Sequence, residues 1–180
     1  MISININRVR VMNENADCSF RPIRAGEEEL AYELILRVFH KDVAASYSGE
    51  GVETFLGMLS PSFLAKDSLD RSTIIAEHNG RIIGVLTITA LSHISLLFVD
   101  PDFQGYGIGS SLVQVGIDAC MKKNPDRTVF TASSSPNSLS FYKTIGFETI
   151  GEEVNENGML FTPMQKTLAQ KMTDNSRKKA

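Results

Sequence analysis

At 180 residues and 42% hydrophobic content, the chain has the size of one globular domain with a sizeable core. Its net charge of −3, with acids and bases interspersed, lacks the basic stripe of a polyanion binder and argues against a nucleic-acid partner. The longest apolar runs are far too short to span a bilayer, and Met1 to Ile6 alternates without the apolar segment of a secretion signal, so a soluble cytoplasmic domain is predicted.

Residues 1–17 are polar and weakly patterned and read as an N-terminal extension; 18–170 read as the domain, and 171–180 as a polar, basic tail with nothing to bury. Phe20 to Arg24 is a short predicted strand. Gly26 then precedes Glu27-Glu28-Glu29, an acidic first turn suited to a helix dipole, and Leu30, Leu34, Ile35 and Val38 recur at helical spacing up to Phe39. A second helix carries Val52, Phe55, Leu56 and Leu59 and stops near Pro61. Ser72 to Glu77 and Arg81 to Ala90 flank Asn79-Gly80, a strong hairpin signal, and Ile94 to Val99 is the third strand of that meander. The next helix, from Gly107 to Lys122, puts Ile108, Leu112, Val115 and Ala119 on one face. Two cysteines cannot build a disulfide framework or a convincing metal site, and Cys120 on this helix reads as a buried structural thiol. Thr128 to Ala132 is another strand. Ser135-Pro136-Asn137 caps a helix through Tyr142 that Gly146 closes, and Phe147 to Val154 pairs with Met159 to Thr167 across Asn157-Gly158.

The most informative stretch is Leu96-Leu97-Phe98-Val99-Asp100-Pro101-Asp102-Phe103-Gln104-Gly105-Tyr106-Gly107-Ile108-Gly109-Ser110. A strand stops at Asp-Pro, a glycine-rich turn follows, and a helix begins. Free backbone N–H groups and the positive end of a helix dipole then converge on one point, which suits a phosphate. A dinucleotide fingerprint needs G-x-G-x-x-G directly after a strand, whereas here the glycines fall at 105, 107 and 109, and residue 110 is serine. A Walker A loop needs Gly-Lys-Ser/Thr, which is missing.

What fits is Gln104-x-x-Gly107-x-Gly109 after a strand ending in Val-x-Pro, and there the chain closely resembles the GNAT superfamily of acetyl-CoA-dependent N-acetyltransferases. Two further segments share the likeness: Ser138 to Phe147, with Tyr142 shortly before Gly146-Phe147, and Asn157 to Met164, like the final hairpin of one bacterial branch. The resemblance implies an α/β fold with a mixed, mostly antiparallel central sheet of about seven strands and helices on both faces. It implies acetyl-CoA as co-substrate and an amine acceptor, a small molecule or a peptide, and it allows a homodimer through terminal strands. Leu97, Phe98 and Val99 would hold the pantetheine arm by their backbone. Gln104, Gly105, Tyr106, Gly107, Ile108, Gly109 and Ser110 would hold the pyrophosphate, without a lysine because backbone amides suffice.

Tyr142 would stand near the thioester sulfur as general acid or as a positioning group. An unperturbed phenol is a weaker acid than the departing thiol, and the transfer costs roughly 2 kcal/mol. His93 is a candidate base acting through water, the alternative being a strand-end histidine satisfied by its neighbours. By strict alternation His93 shares a face with Ser95, Leu97 and Val99 unless a bulge intervenes. Tyr47, Glu50 and Glu53 fall in the segment that shapes the acceptor site in this fold, although surface charge explains either glutamate equally well.

The chain also departs from the family. Ser135 stands where many members carry a cofactor-contacting asparagine, and Phe130 stands where one branch has a glutamate, so a ribosomal-protein acetyltransferase is not supported. With no cysteine in the motif, direct transfer to the amine is expected over a covalent enzyme intermediate. The competing reading is a non-catalytic acyl-CoA-binding sensor or assembly module.

Overall fold

The computed structural model describes residues 18–65, 71–90 and 92–169. The expected extension 1–17 and tail 171–180 lie outside the described residues. The chain runs β1 (Cys18–Pro22), α1 (Glu28–Val38), α2 (Gly49–Met58), α3 (Pro61–Leu64), β2 (Arg71–His78), β3 (Arg81–Thr89), β4 (His93–Val99), α4 (Ile108–Lys123), β5 (Val129–Ser134), α5 (Leu139–Thr144), β6 (Glu148–Thr149), β7 (Val154–Glu156) and β8 (Met159–Thr167).

The strands form one mixed sheet in the order β1-β2-β3-β4-β5-β8-β6, with β7 pairing β8 beside this path. Every neighbouring pair is antiparallel except β4 and β5. The α/β class and the mostly antiparallel sheet with helices on both faces are as expected. Asn79 and Gly80 both take positive φ, 50° and 76°, in the two-residue turn between β2 and β3.

Two apolar cores lie on opposite faces of the sheet. Phe20, Ile74, Leu86, Leu112, Ile117 and Phe130 belong to the α4 side. Leu34, Ile35, Phe39, Ile75, Val85 and Phe98 belong to the α1–α3 side. β3 is buried on both faces, as its run Ile82-Ile83-Gly84-Val85-Leu86 demands of a central strand.

Several expectations need correction. Leu30 is 58% exposed, and α1 buries Ala31, Leu34, Ile35 and Val38 instead. On α4 the buried face carries Ile108, Leu112, Val113, Gly116, Ile117 and Cys120, while Val115 and Ala119 sit at its margin. The cause is close approach: a Cβ at position 116 would lie 2.4 Å from the buried Leu86 side chain. Ser135 makes no capping bond to α5, which a 3-10 turn over Pro136–Ser138 precedes. The terminal hairpin is interrupted between β6 and β7, so its first strand is two short pieces.

Arg21 ties β1 to the start of α1 and to β2. Its guanidinium donates two 2.7 Å bonds to Glu27 and also bonds Glu77. These donors and the Arg24 amide pull the Glu27 carboxyl down to about 2, against burial, which pushes it up. A depressed carboxyl stabilises the fold above its unfolded value of 4.5 and loses that contribution as pH falls towards 2. Urea unfolding of Glu27→Gln between pH 7 and 2 is expected to show a lower stability at neutral pH and a flatter acid limb than the parent.

Candidate functional site

β4 and β5 pair at only two positions, His93 with Thr131 and Ile94 with Ala132. Beyond Ile94 the two strands part, which leaves the β4 edge from Ser95 to Val99 facing an opening through the sheet. At the same place Ile88 faces Ile94 and Thr87 faces Leu96, so Ser95 is an extra residue, a β-bulge. The Ser95 hydroxyl bonds that of Thr89 at 2.6 Å. The bulge reverses the faces: Ile94, Leu97 and Val99 turn to the α4 side, while Leu96 and Phe98 turn to the α1–α3 side.

The opening is a cavity of about 770 Å³. Ser95, Leu97, Phe98 and Val99 of β4 line it, with Gln104, Gly105, Gly107, Ile108, Gly109 and Ser110 of the turn, and Ser135, Phe141 and Tyr142 of the β5–α5 arm. It therefore brings together most of the residues expected to hold the cofactor. Tyr106 is apart, 55% exposed and outside the lining.

The turn is rigidly seated. Asp100, almost fully buried, takes bonds from Arg37 at 2.8 Å and Arg81 at 2.5 Å, and its other oxygen accepts the Asp102 N–H at 3.1 Å. Gly107 is the N-cap of α4 with φ 79°, a conformation in which β-branched side chains are strained. At Gly109 an added Cβ would sit 3.2 Å from the Phe141 ring, so the helix start and α5 approach closely. Residues 107–110, the first turn of α4, thus line the cavity, and the free amides of a helix start suit an anion. The lining fits a phosphate-bearing cofactor at this end, and the unpaired β4 edge fits an amide-bearing chain.

Tyr142 packs edge-on against Phe141 and Phe147, with ring centroids 5.2 and 5.3 Å away. Burial pushes its phenol far above the usual tyrosine range, so it stays protonated at any physiological pH. A phenol raised in this way is a poor proton donor at neutral pH.

The other candidates divide. Tyr47 lines the cavity on the α1–α3 side, and burial raises its phenol as well. Glu50 and Glu53 are exposed on α2 and do not line it. His93 is also outside the lining. It lies on the face opposite Leu97 and Val99, contrary to strict alternation, because of the Ser95 bulge. Its Nδ1 bonds the Thr131 hydroxyl at 2.9 Å, and burial lowers its pKa, so the ring is neutral at pH 7.

Sequence patterning missed Asp42. It sits in a π-helical turn, Phe39–Val43, that extends α1 over the opening. Its carboxylate accepts from Gln104 Nε2 at 3.0 Å, and its carbonyl accepts from Asn137 Nδ2 at 2.7 Å. Gln104 also donates to the Val99 carbonyl at 3.1 Å. The turn therefore touches both arms of the opening. No local signal marks Asp42, because its partners are distant in the chain. Among the described residues it is the one carboxylate that lines the cavity, and no histidine lines it.

Comparison with known proteins now bears on this geometry. The family model described as an acetyltransferase (GNAT) domain matches residues 43–168. The chain belongs to the GNAT acetyltransferase family. It is an acyltransferase by class, and among the described residues no helix is long and apolar enough to cross a membrane. The chain is 27% identical over 139 residues to the peptidyl-lysine N-acetyltransferase YjaB of Escherichia coli, spanning 76% of this chain and 88% of that protein. A GCN5-related N-acetyltransferase from Rhodopseudomonas palustris superposes with TM-score 0.70 at 22% identity, over 83% of this chain and 94% of that one. The PaiA N-acetyltransferase of Thermoplasma acidophilum, solved with coenzyme A, superposes with TM-score 0.68 at 21% identity, over 84% of this chain and 99% of that one. At those identities the structural likeness establishes the fold.

Proposed function

We propose that this GNAT protein transfers acetyl from acetyl-CoA directly to a primary amine. The observation that carries the reading is the parting of β4 and β5 beyond Ile94, with the glycine turn at one end of the gap and Tyr142 beside it. Acetyl-CoA would supply the activated thioester. The Leu97 to Val99 backbone would align its amide-bearing arm as an added strand, and the amides of Gly105 to Ser110 would hold its pyrophosphate. The C–S bond breaks as the C–N bond forms; the amine gives up one proton, and the sulfur receives one.

Among the described residues no histidine lines the cavity, and its one carboxylate, Asp42, accepts from Gln104, so water is the acceptor we assign for the amine proton. Tyr142 would donate a hydrogen bond to the sulfur as charge develops there. The curated relatives named peptidyl-lysine N-acetyltransferases make a lysine Nζ the first acceptor to test.

The shortage of a free base also favours a second reading, an acyl-CoA-binding sensor with the same groove. Acetyl-dependent CoA release, measured against lysyl peptides and a wide amine panel, separates the two. Amine-dependent release supports the transferase. Tight CoA binding with no release above hydrolysis for any amine overturns it in favour of the sensor.

A further inference from the structure

We propose, resting on the transfer reading above, that the acceptor is a primary amine on an apolar, otherwise uncharged stem, threaded past Tyr47, Phe55 and Phe98, and that polycationic amines are excluded. The cavity has two chemically different halves, because the gap between β4 and β5 carries it through the sheet. On the α4 side are the glycine turn, Phe141 and Tyr142. On the other side the lining is Val38, Val43, Tyr47, Phe55, Leu96 and Phe98, all of the second core. With the glycine turn reserved for the cofactor, this second half is left for the acceptor.

Its wall is aromatic and fixed. Phe39, fully buried, stacks on Phe55 with centroids 4.1 Å apart and planes 14° apart. Tyr47 meets Phe39 edge-on at 5.9 Å, and Phe55 meets Phe98 at 6.0 Å. Rings locked in this way present apolar surface at little entropic cost, and their faces attract a single ammonium.

Charge points the same way. Among the described residues, Lys41 and Asp42 are the only charged side chains lining the cavity, and the Asp42 carboxylate is bonded to Gln104 at the glycine turn. Glu50 and Glu53, which precede Phe55 on α2, are exposed and outside the lining. A polyamine or aminoglycoside needs several carboxylates for its several ammonium groups. Here it would meet one engaged acid and a lysine, and its extra charges would be desolvated without partners.

The test is calorimetric binding to the CoA-loaded protein, which requires no turnover. The probes are phenethylamine and Nα-acetyl-lysine methylamide against spermidine and kanamycin. Both monoamines are expected to bind and both polycations to fail. Phe55→Ala is expected to weaken monoamine binding about tenfold, with CoA affinity unchanged. Should that variant fail to fold, Phe55→Leu keeps an apolar side chain without the ring and is expected to weaken phenethylamine about threefold. Tighter binding of spermidine or kanamycin, absence of monoamine binding, or unaltered affinity in the folded Phe55 variant would each overturn the proposal. Monoamine binding without acetyl transfer would instead sink the transferase reading and leave the aromatic cleft standing. Preferred acetylation of a polycation would do the reverse.

Discussion

Tyr142→Phe is expected to lower kcat by roughly 10- to 100-fold while leaving the KM for acetyl-CoA within about twofold of the parent. The variant keeps the ring that packs between Phe141 and Phe147, so the fold and the cavity shape are preserved. What it removes is one hydroxyl, and in the proposed reaction its bond to sulfur would matter only as the thiolate forms, so kcat should carry the loss. Full proton transfer is not required of it. Burial has already raised the phenol far above the thiol, and that makes the phenol a still poorer acid than an exposed tyrosine. For the same reason the rate should show no alkaline limb from Tyr142 below pH about 10. A variant with unchanged kcat would take the hydroxyl out of the chemistry altogether.

Gly107→Val is expected to weaken CoA binding about 100-fold with little change in thermal stability. Gly107 is exposed, at φ 79°, and opens α4. A β-branched residue is strained there by about 1–2 kcal/mol, and the turn relieves this by rotating its amides away from the common point. If the turn holds the pyrophosphate as proposed, each amide that turns away would forfeit a charge-assisted bond to a phosphate oxygen. The loss should therefore appear in titrations with CoA and be much smaller with a pantetheine fragment that lacks the pyrophosphate. Equal weakening for both ligands would place the pyrophosphate elsewhere.

The parts of this site that were legible in the sequence are those whose physics is local. Gln104 to Ser110 announces itself because a glycine turn between a strand and a helix is a contiguous pattern with one geometric outcome. Tyr142 is legible for a similar reason, standing a fixed distance before Gly146-Phe147. The Asn79-Gly80 hairpin needs only two residues of positive φ.

Asp42 and Phe55 belong to the other kind. Asp42 acquires its place from Gln104 and Asn137, far along the chain. Phe55 was legible as an apolar helix residue, yet only its stacking on Phe39 and its position across from Phe98 make it a cavity wall. Glu50 and Glu53 show the converse: residue type and neighbourhood nominated them, and the orientation of α2 left both in solvent. His93 marks the same limit: a single extra residue at Ser95 sets its face, and alternation along a strand cannot say where such a bulge falls.

By itself, then, the sequence determined the family, the meander, and the glycine turn that opens α4, because each follows from neighbours in the chain. Tertiary structure alone decided that β4 and β5 part after two paired residues, that the resulting cavity crosses the sheet, and that its far half is walled by aromatic rings. Those features depend on which side chains distant elements bring face to face, and no local pattern encodes that meeting.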